Sequence, residues 1–201
     1  SIFSWMCGNM VAWRYCKAPW ERINSGGFSS WYIWCAQKIK KMENILEKEP
    51  VKRVQEFINQ FDPKLKVLVL DTTARTAKDA AESLGSEVGA IVKSLVFRTD
   101  GTFLICLVAG DKRCSLNKLK KIISKKDVSM ANADEVKINT GFSIGGVAPI
   151  AHLKKLNILI DHSLGRFQSV FAAAGHPNSI FKIKYDQLVQ MTKGEVKEIT
   201  E

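Results

Sequence analysis

The chain of 201 residues is long enough for one domain with a modest appendage, and 46% hydrophobic with 25% charged residues is the balance of a globular protein in water. Thirty Lys and Arg against 20 Asp and Glu give a formal charge of +10, which points to a polyanionic partner, nucleic acid above all. Five cysteines without a C-x-x-C pair, and without histidines at zinc-ligand spacing, argue against a metal centre or a disulfide framework and for a reducing, cytoplasmic setting.

No apolar run reaches the roughly 18 residues of a membrane span, the first residues lack a basic flank followed by an apolar block, so no secretory leader is expected, and no motif calls for a cofactor.

Composition changes near Met42. All five tryptophans lie at or before Trp34, and Arg14, Lys17, Arg22, Lys38, Lys40 and Lys41 face Glu21 as the one acidic residue of that stretch. Residues 1–41 show no useful period and are expected to be an irregular basic extension outside the fold, or alternatively a Trp-rich arm that stacks on nucleic acid. "MENILEKEP" from Met42 reads as a protein start, so residues 42–201 are expected to form the single folded domain.

Pro50 suits a helix start, and Val51, Val54, Ile58 and Phe61 recur at helical spacing, predicting a helix over 50–60. "KVLVL" at 66–70 predicts a buried strand. Thr76, Asp79 and Gly85 frame a short capped helix. "IVKSLVF" and "TFLICLVAG" flank Asp100-Gly101, a hairpin signal. "SLNKLKKIISKK" from Ser115 predicts a Lys-rich amphipathic helix, and 132–139 another short one. The segment from Thr140 to His152, "TGFSIGGVAPIAH", predicts a loop. Strands follow at 157–160, 169–175 and 179–183, then the helix "YDQLVQMT" and a last strand in "EVKEI". Helices and strands mix without a regular βαβ repeat, so the expected class is α+β, a mixed and partly barrel-like sheet with surrounding helices.

Lys93 is a cation inside an otherwise buried strand pattern. It either faces outward by alternation or points into a pocket to hold a phosphate or a carbonyl. His176 sits between Gly175 and Pro177 at a strand end, and Asp161 ends "NILID", where it is either a functional acid or a turn cap. His152 and His162 are expected at the surface. Cys106 and Cys114 lie in or beside core elements and are not read as nucleophiles.

"TARTAKDAAESLG", "VGAIVKSLVF", "GFSIGGVAPIAH", "ILID" and "VFAAAGHPNSIF", in that order, resemble the YbaK/EbsC family of aminoacyl-tRNA editing domains, free-standing or inserted in prolyl-tRNA synthetases. The resemblance spans about residues 50–200. It implies hydrolysis of the ester joining a wrong amino acid to tRNA, with tRNA as partner, a synthetase as a further one, and neither metal nor membrane. It assigns Lys93 to the ester and terminal phosphate. It assigns Gly141, Gly145, Gly146, Val147 and Pro149 to a loop that lines the pocket with backbone groups. Thr73, Phe97, Phe142, Asp161 and Gly175 go with them as substrate-binding positions, and His176 as catalytic. Ala151 replaces the loop's usual last glycine, and Ala148 stands where serine is frequent. On this reading the Gly145-Gly146 N–H groups stabilise the oxyanion, and the substrate's ribose hydroxyl or His176 activates water. The alternative is a non-catalytic module for the tRNA acceptor end or for a synthetase. A generic basic RNA-binding protein, driven by the Lys-rich helix, is the third reading.

Overall fold

The structure is a computed structural model that describes residues 28–70 and 76–201, with side chains from residue 33 onward. The chain divides between Asn44 and Ile45, and all strands among the described residues belong to the unit Ile45–Glu201. Residues 28–41, expected to be irregular, are helical: Phe28–Leu46 forms α1. Its run of residues contains neither Pro nor Gly, and that continuity sustains a helix where the scattered tryptophans obscure any period.

The second unit follows its sequence signals closely. Helix α2 (Glu49–Phe61) begins at Pro50 and buries Val51, Val54 and Ile58. Strand β1 (Val67–Val69) follows. Helix α3 (Ala77–Leu84) is closed at its start by a capping box between Thr76 and Asp79 and at its end by Gly85 in the left-handed region. Strands β2 (Ile91–Thr99) and β3 (Thr102–Ala109) form the predicted hairpin, with Asp100 at φ 41° and Gly101 at φ 76°. Then come α4 (Leu116–Ile123), the two-residue β4 (Ser129–Met130) and α5 (Ala133–Thr140), whose Asn132–Glu135 capping box fixes its start. Strands β5 (Asn157–Asp161), β6 (Ser169–Ala173) and β7 (Ser179–Lys184), helix α6 (Tyr185–Thr192) and β8 (Glu195–Lys197) complete the fold.

Among the described residues the strands form one mixed sheet, in the order β1-β7-β6-β2-β3-β5-β8, with β4 added to β2. Pairs β2/β6, β3/β5 and β5/β8 are parallel and the others antiparallel. Helix α4 seals one core cluster, in which Leu119 meets Phe97, Cys106 and Val108. Helix α3 seals another, through Ala80 and Ala81 against Ile91 and Ile180. No helix among the described residues is long and apolar enough to cross a membrane.

One irregularity in the sheet creates the site. Strand β3 pairs along β2 from Val92 to Thr99, which leaves β2 a single other edge. On that edge the β6 ladder stops at Val92–Ala172, and β4 begins at Phe97–Met130. Among the described residues no strand covers Lys93–Leu95 there.

Candidate active site

A cleft of about 560 Å³ lies over that gap. Such a volume suits a ligand of nucleoside or amino-acid ester size. Val136, Ile144, Val147 and Pro177 make much of its wall apolar, the first turn of α3 borders it, and Lys93 and Ser94 bring polar groups from β2. The Ser94 hydroxyl is buried and has no hydrogen-bond partner among the described residues. Leaving such a group unpaired costs about 1–3 kcal/mol, so its position in a cleft favours a ligand that pairs it.

Lys93 does not face open solvent. It is partly buried, and its ammonium donates to the carbonyl of Lys112 just past the end of β3. Burial lowers its pKa from the ordinary lysine value; Asp111 opposes this and Arg113 adds to it. An ammonium carries three donors, so two remain for a ligand.

The loop after α5 is held from behind. Gly141 ends the helix at φ 79°. From α2, Arg53 donates through Nε to the Ala151 carbonyl at 2.9 Å and through Nη2 to the Thr140 carbonyl at 3.4 Å, gripping both ends of the loop. Its guanidinium covers the buried Phe142 ring, which His152 meets edge-on at 6.0 Å. His152, expected at the surface, is half-buried; its Nε2 lies 2.8 Å from the Ala148 carbonyl, and burial lowers its pKa.

The glycine pair divides its labour. Gly146 N–H donates to Ser143 O at 2.9 Å and Gly146 O accepts from Gly175 N at 3.0 Å, so both its backbone groups hold the loop together. The expected oxyanion role therefore cannot use the Gly146 N–H as placed. A Cβ on Gly146 would stand 2.8 Å from the His176 main chain, so this glycine is there for close approach. Gly145, at φ 87°, and Val147 line the cleft, and among the described residues their N–H groups have no protein acceptor.

The structure thus gathers Lys93, Gly145 and Val147 at the cleft, with the buried Phe142, Gly146, Pro149 and Gly175 and the partly buried Gly141 as the framework behind it. His176 stands behind the loop. Its Nδ1 accepts from Asn178 N–H at 3.1 Å and its Nε2 lies 3.3 Å from Lys48 Nζ, so both ring nitrogens face protein groups. Phe97 belongs to the core under α4 and lies away from the cleft lining. Asp161 is fully buried and ties the chain's end to β5, accepting from Ser163 N, Ile199 N and Thr200 Oγ1 at 3.0–3.1 Å and from the Ser163 hydroxyl. Thr73 lies outside the described residues. Sequence reasoning missed Ser94 and Arg53. Ser94 had a signal, a hydroxyl beside Lys93 in an apolar strand; Arg53 had none for this role, because the loop carbonyls it holds lie 87 and 98 residues away. Among the described residues no cluster of His, Cys, Asp and Glu could hold a metal ion.

A sequence model of the aminoacyl-tRNA editing domain matches residues 71–191. The uncharacterized protein YwhH of Bacillus subtilis is 33% identical over 147 residues, covering 73% of this chain and 93% of YwhH. EbsC of Enterococcus faecalis, named as a candidate Cys-tRNA(Pro)/Cys-tRNA(Cys) deacylase, is 28% identical over 126 residues, 62% of this chain and 77% of EbsC. A crystal structure of a candidate trans-editing enzyme for prolyl tRNA synthetase superposes with a TM-score of 0.73 at 35% identity, covering 77% of this chain and 98% of that one. With the family match spanning more than half of its length, the chain belongs to the aminoacyl-tRNA editing domain family.

Proposed function

We propose that the protein is a trans-acting deacylase that hydrolyses the ester between a small amino acid and the 3′ end of a mischarged tRNA in the cytoplasm. Water adds to the ester carbonyl, the tetrahedral intermediate collapses, and the free amino acid leaves tRNA with its terminal hydroxyl restored. The observation that carries this reading is that Lys93, Gly145 and Val147 line one cleft, the last two with N–H groups that no acceptor among the described residues takes, in a chain of this family. The two N–H groups are the candidates for the oxyanion, and a donor of that kind is worth roughly 3 kcal/mol of transition-state stabilisation. Lys93 offers its two remaining donors to the terminal phosphate or the carbonyl, and the Ser94 hydroxyl finds its partner on the substrate. With the His176 ring committed to Asn178, the ribose hydroxyl of the substrate is the better group to position water.

The apolar wall sets specificity by size. Each methylene is worth about 1–3 kcal/mol of discrimination, which suits a site that admits small side chains and rejects larger ones. A synthetase that supplies the mischarged tRNA is the matching partner. The test is deacylation of tRNAs charged with Ala, Ser, Cys, Thr and Pro by the full chain, beside Lys93→Ala. Turnover of one or two species that Lys93→Ala abolishes supports the reading. No turnover, with tight binding of tRNA or synthetase, replaces it with a binding module.

A further inference from the structure

The segment 112–126, "KRCSLNKLKKIISKK", holds seven cations and no anion. Leu119 is fully buried and Ile122 and Ile123 pack against the same core, so α4 turns its lysines outward. Lys118 pairs with Glu198 and Lys125 with Asp100. Lys112, Arg113, Lys120, Lys121 and Lys126 form no ion pair among the described residues.

The place of this run matters as much as its charge. It begins at the cleft: Gly110 lines the cavity, and the Lys112 carbonyl is the acceptor of the Lys93 ammonium. From there the chain turns into α4 and leads away over the surface. A cleft of about 560 Å³ holds a terminal nucleotide with its amino acid, and the rest of a polynucleotide must lie outside it. Closely spaced like charges without counter-ions destabilise a surface slightly and gain most from a line of phosphates, which also releases the nucleic acid's own counter-ions.

We infer that the outward face of α4 with its flanking lysines is a phosphate-binding surface that holds the RNA backbone next to the 3′ end lodged in the cleft. This rests on the deacylase reading for the identity of the RNA, but binding can be tested without turnover. The decisive variant is Lys121→Glu/Lys126→Glu, two exposed lysines outside the cleft lining. Lys64→Glu/Lys66→Glu makes the same change of net charge at the turn between α2 and β1 and serves as control. The affinity for deacylated tRNA is measured for the full chain across a salt series, with thermal melting to confirm folding. Where the charge reversal fails to fold, Lys121→Ala/Lys126→Ala takes its place.

The α4 variant is expected to bind tRNA at least about tenfold more weakly at low salt, with the slope of log Kd against log salt reduced by about 1.5, the loss of two phosphate contacts. Its kcat on saturating mischarged tRNA stays that of the parent, and the control keeps the parent's slope. Unchanged affinity and slope in the α4 variant overturns the inference, as does an equal loss in the control. Should the parent deacylate nothing, the function falls while the affinities still decide the surface.

Discussion

Arg53 lies over Phe142, with the guanidinium carbon 4.8 Å from the ring centroid, and the same side chain bonds the carbonyls at both ends of the loop that Phe142 anchors. Lysine cannot reproduce a planar fork that stacks and bonds at once. Arg53→Lys should therefore lose about 2 kcal/mol, a fall in Tm of roughly 4–8 °C. Activity should fall more than stability explains, because Gly145 and Val147 depend on the loop. A melt and a kcat/KM measurement on the same preparation check both; a Lys variant with the parent's activity would show that the loop needs no brace.

The two glycines of the pair should respond differently. A methyl on Gly146 meets main-chain atoms of His176 at 2.8–2.9 Å, which cannot move aside as a side chain would, so Gly146→Ala pushes the loop off the 175–177 turn. A methyl on Gly145 meets only Pro177 at 3.6 Å, and the penalty there is the left-handed φ, about 1–2 kcal/mol. Gly146→Ala is expected to lose at least about a hundredfold in kcat/KM, and Gly145→Ala to lose stability first and retain measurable turnover. The reverse ranking would remove Gly146 from the framework of the site.

The contrast between these residues explains what was legible in the sequence. Elements with local signals were readable almost to the residue: the Thr76–Asp79 capping box, the Asp100-Gly101 turn and the helix Tyr185–Thr192 each depend on neighbours in the chain. Lys93 and Gly145, which line the cleft, stood out as candidates because a charge in a strand and a glycine pair in a loop are locally costly, whereas Val147 came only with the family resemblance. What stayed hidden depends on distant pairing. Gly146 and Gly145 look alike in sequence, and only the bonds of Gly146 with Ser143 and Gly175 and its close approach to His176 separate their roles. Asp161 reads as a strand-end acid until Ile199 and Thr200 close over it. The gap beside Lys93 comes from where two ladders on one strand edge stop and start, which no local pattern encodes.

Ala151 holds φ 60°, the left-handed conformation for which glycine is suited, at the position where the family's loop usually ends in glycine. An L-residue there is strained by about 1–2 kcal/mol, of which glycine's greater freedom in the unfolded chain offsets about 0.5–1. Ala151→Gly should raise Tm by roughly 1–3 °C without changing activity, and Ala151→Val should lower it. Calorimetry of the three proteins checks the order; a less stable glycine variant would mean that the backbone here is not strained.

Asp161 titrates in a direction that exposes its role. Burial pushes its carboxyl up, but the donors from Ser163, Ile199 and Thr200 outweigh burial and hold it below the ordinary aspartate value of 3.8. A depressed folded pKa means that the carboxylate stabilises the fold above the unfolded value and that this support is lost as the pH falls through the folded one. Asp161→Asn should cost about 2–3 kcal/mol near neutrality, roughly 5–10 °C in Tm, with the gap to the parent closing as the pH drops below 3.8. Melts between pH 3 and 7 follow it. A variant with the parent's Tm and no activity would instead make Asp161 a substrate ligand.

Lys93 should show the opposite trend. Burial disfavours its ammonium, so its folded pKa lies below 10.5, and in the window between the two values the unfolded chain binds more protons. Stability then rises with pH across that window; below it the charge is a constant burden on the fold, and above 10.5 the burden is gone. Lys93→Met keeps a similar length and removes the charge. At neutral pH its Tm should equal or exceed the parent's, and any excess should shrink as the pH approaches 10.5. Deacylation should fall by at least about a hundredfold, the loss typical of one polar group acting in the transition state. A charge that burdens the fold and serves the cleft leaves this joint signature in melts and kinetics. A variant that melts lower at every pH and still turns over would make Lys93 a structural tether to Lys112 and nothing more.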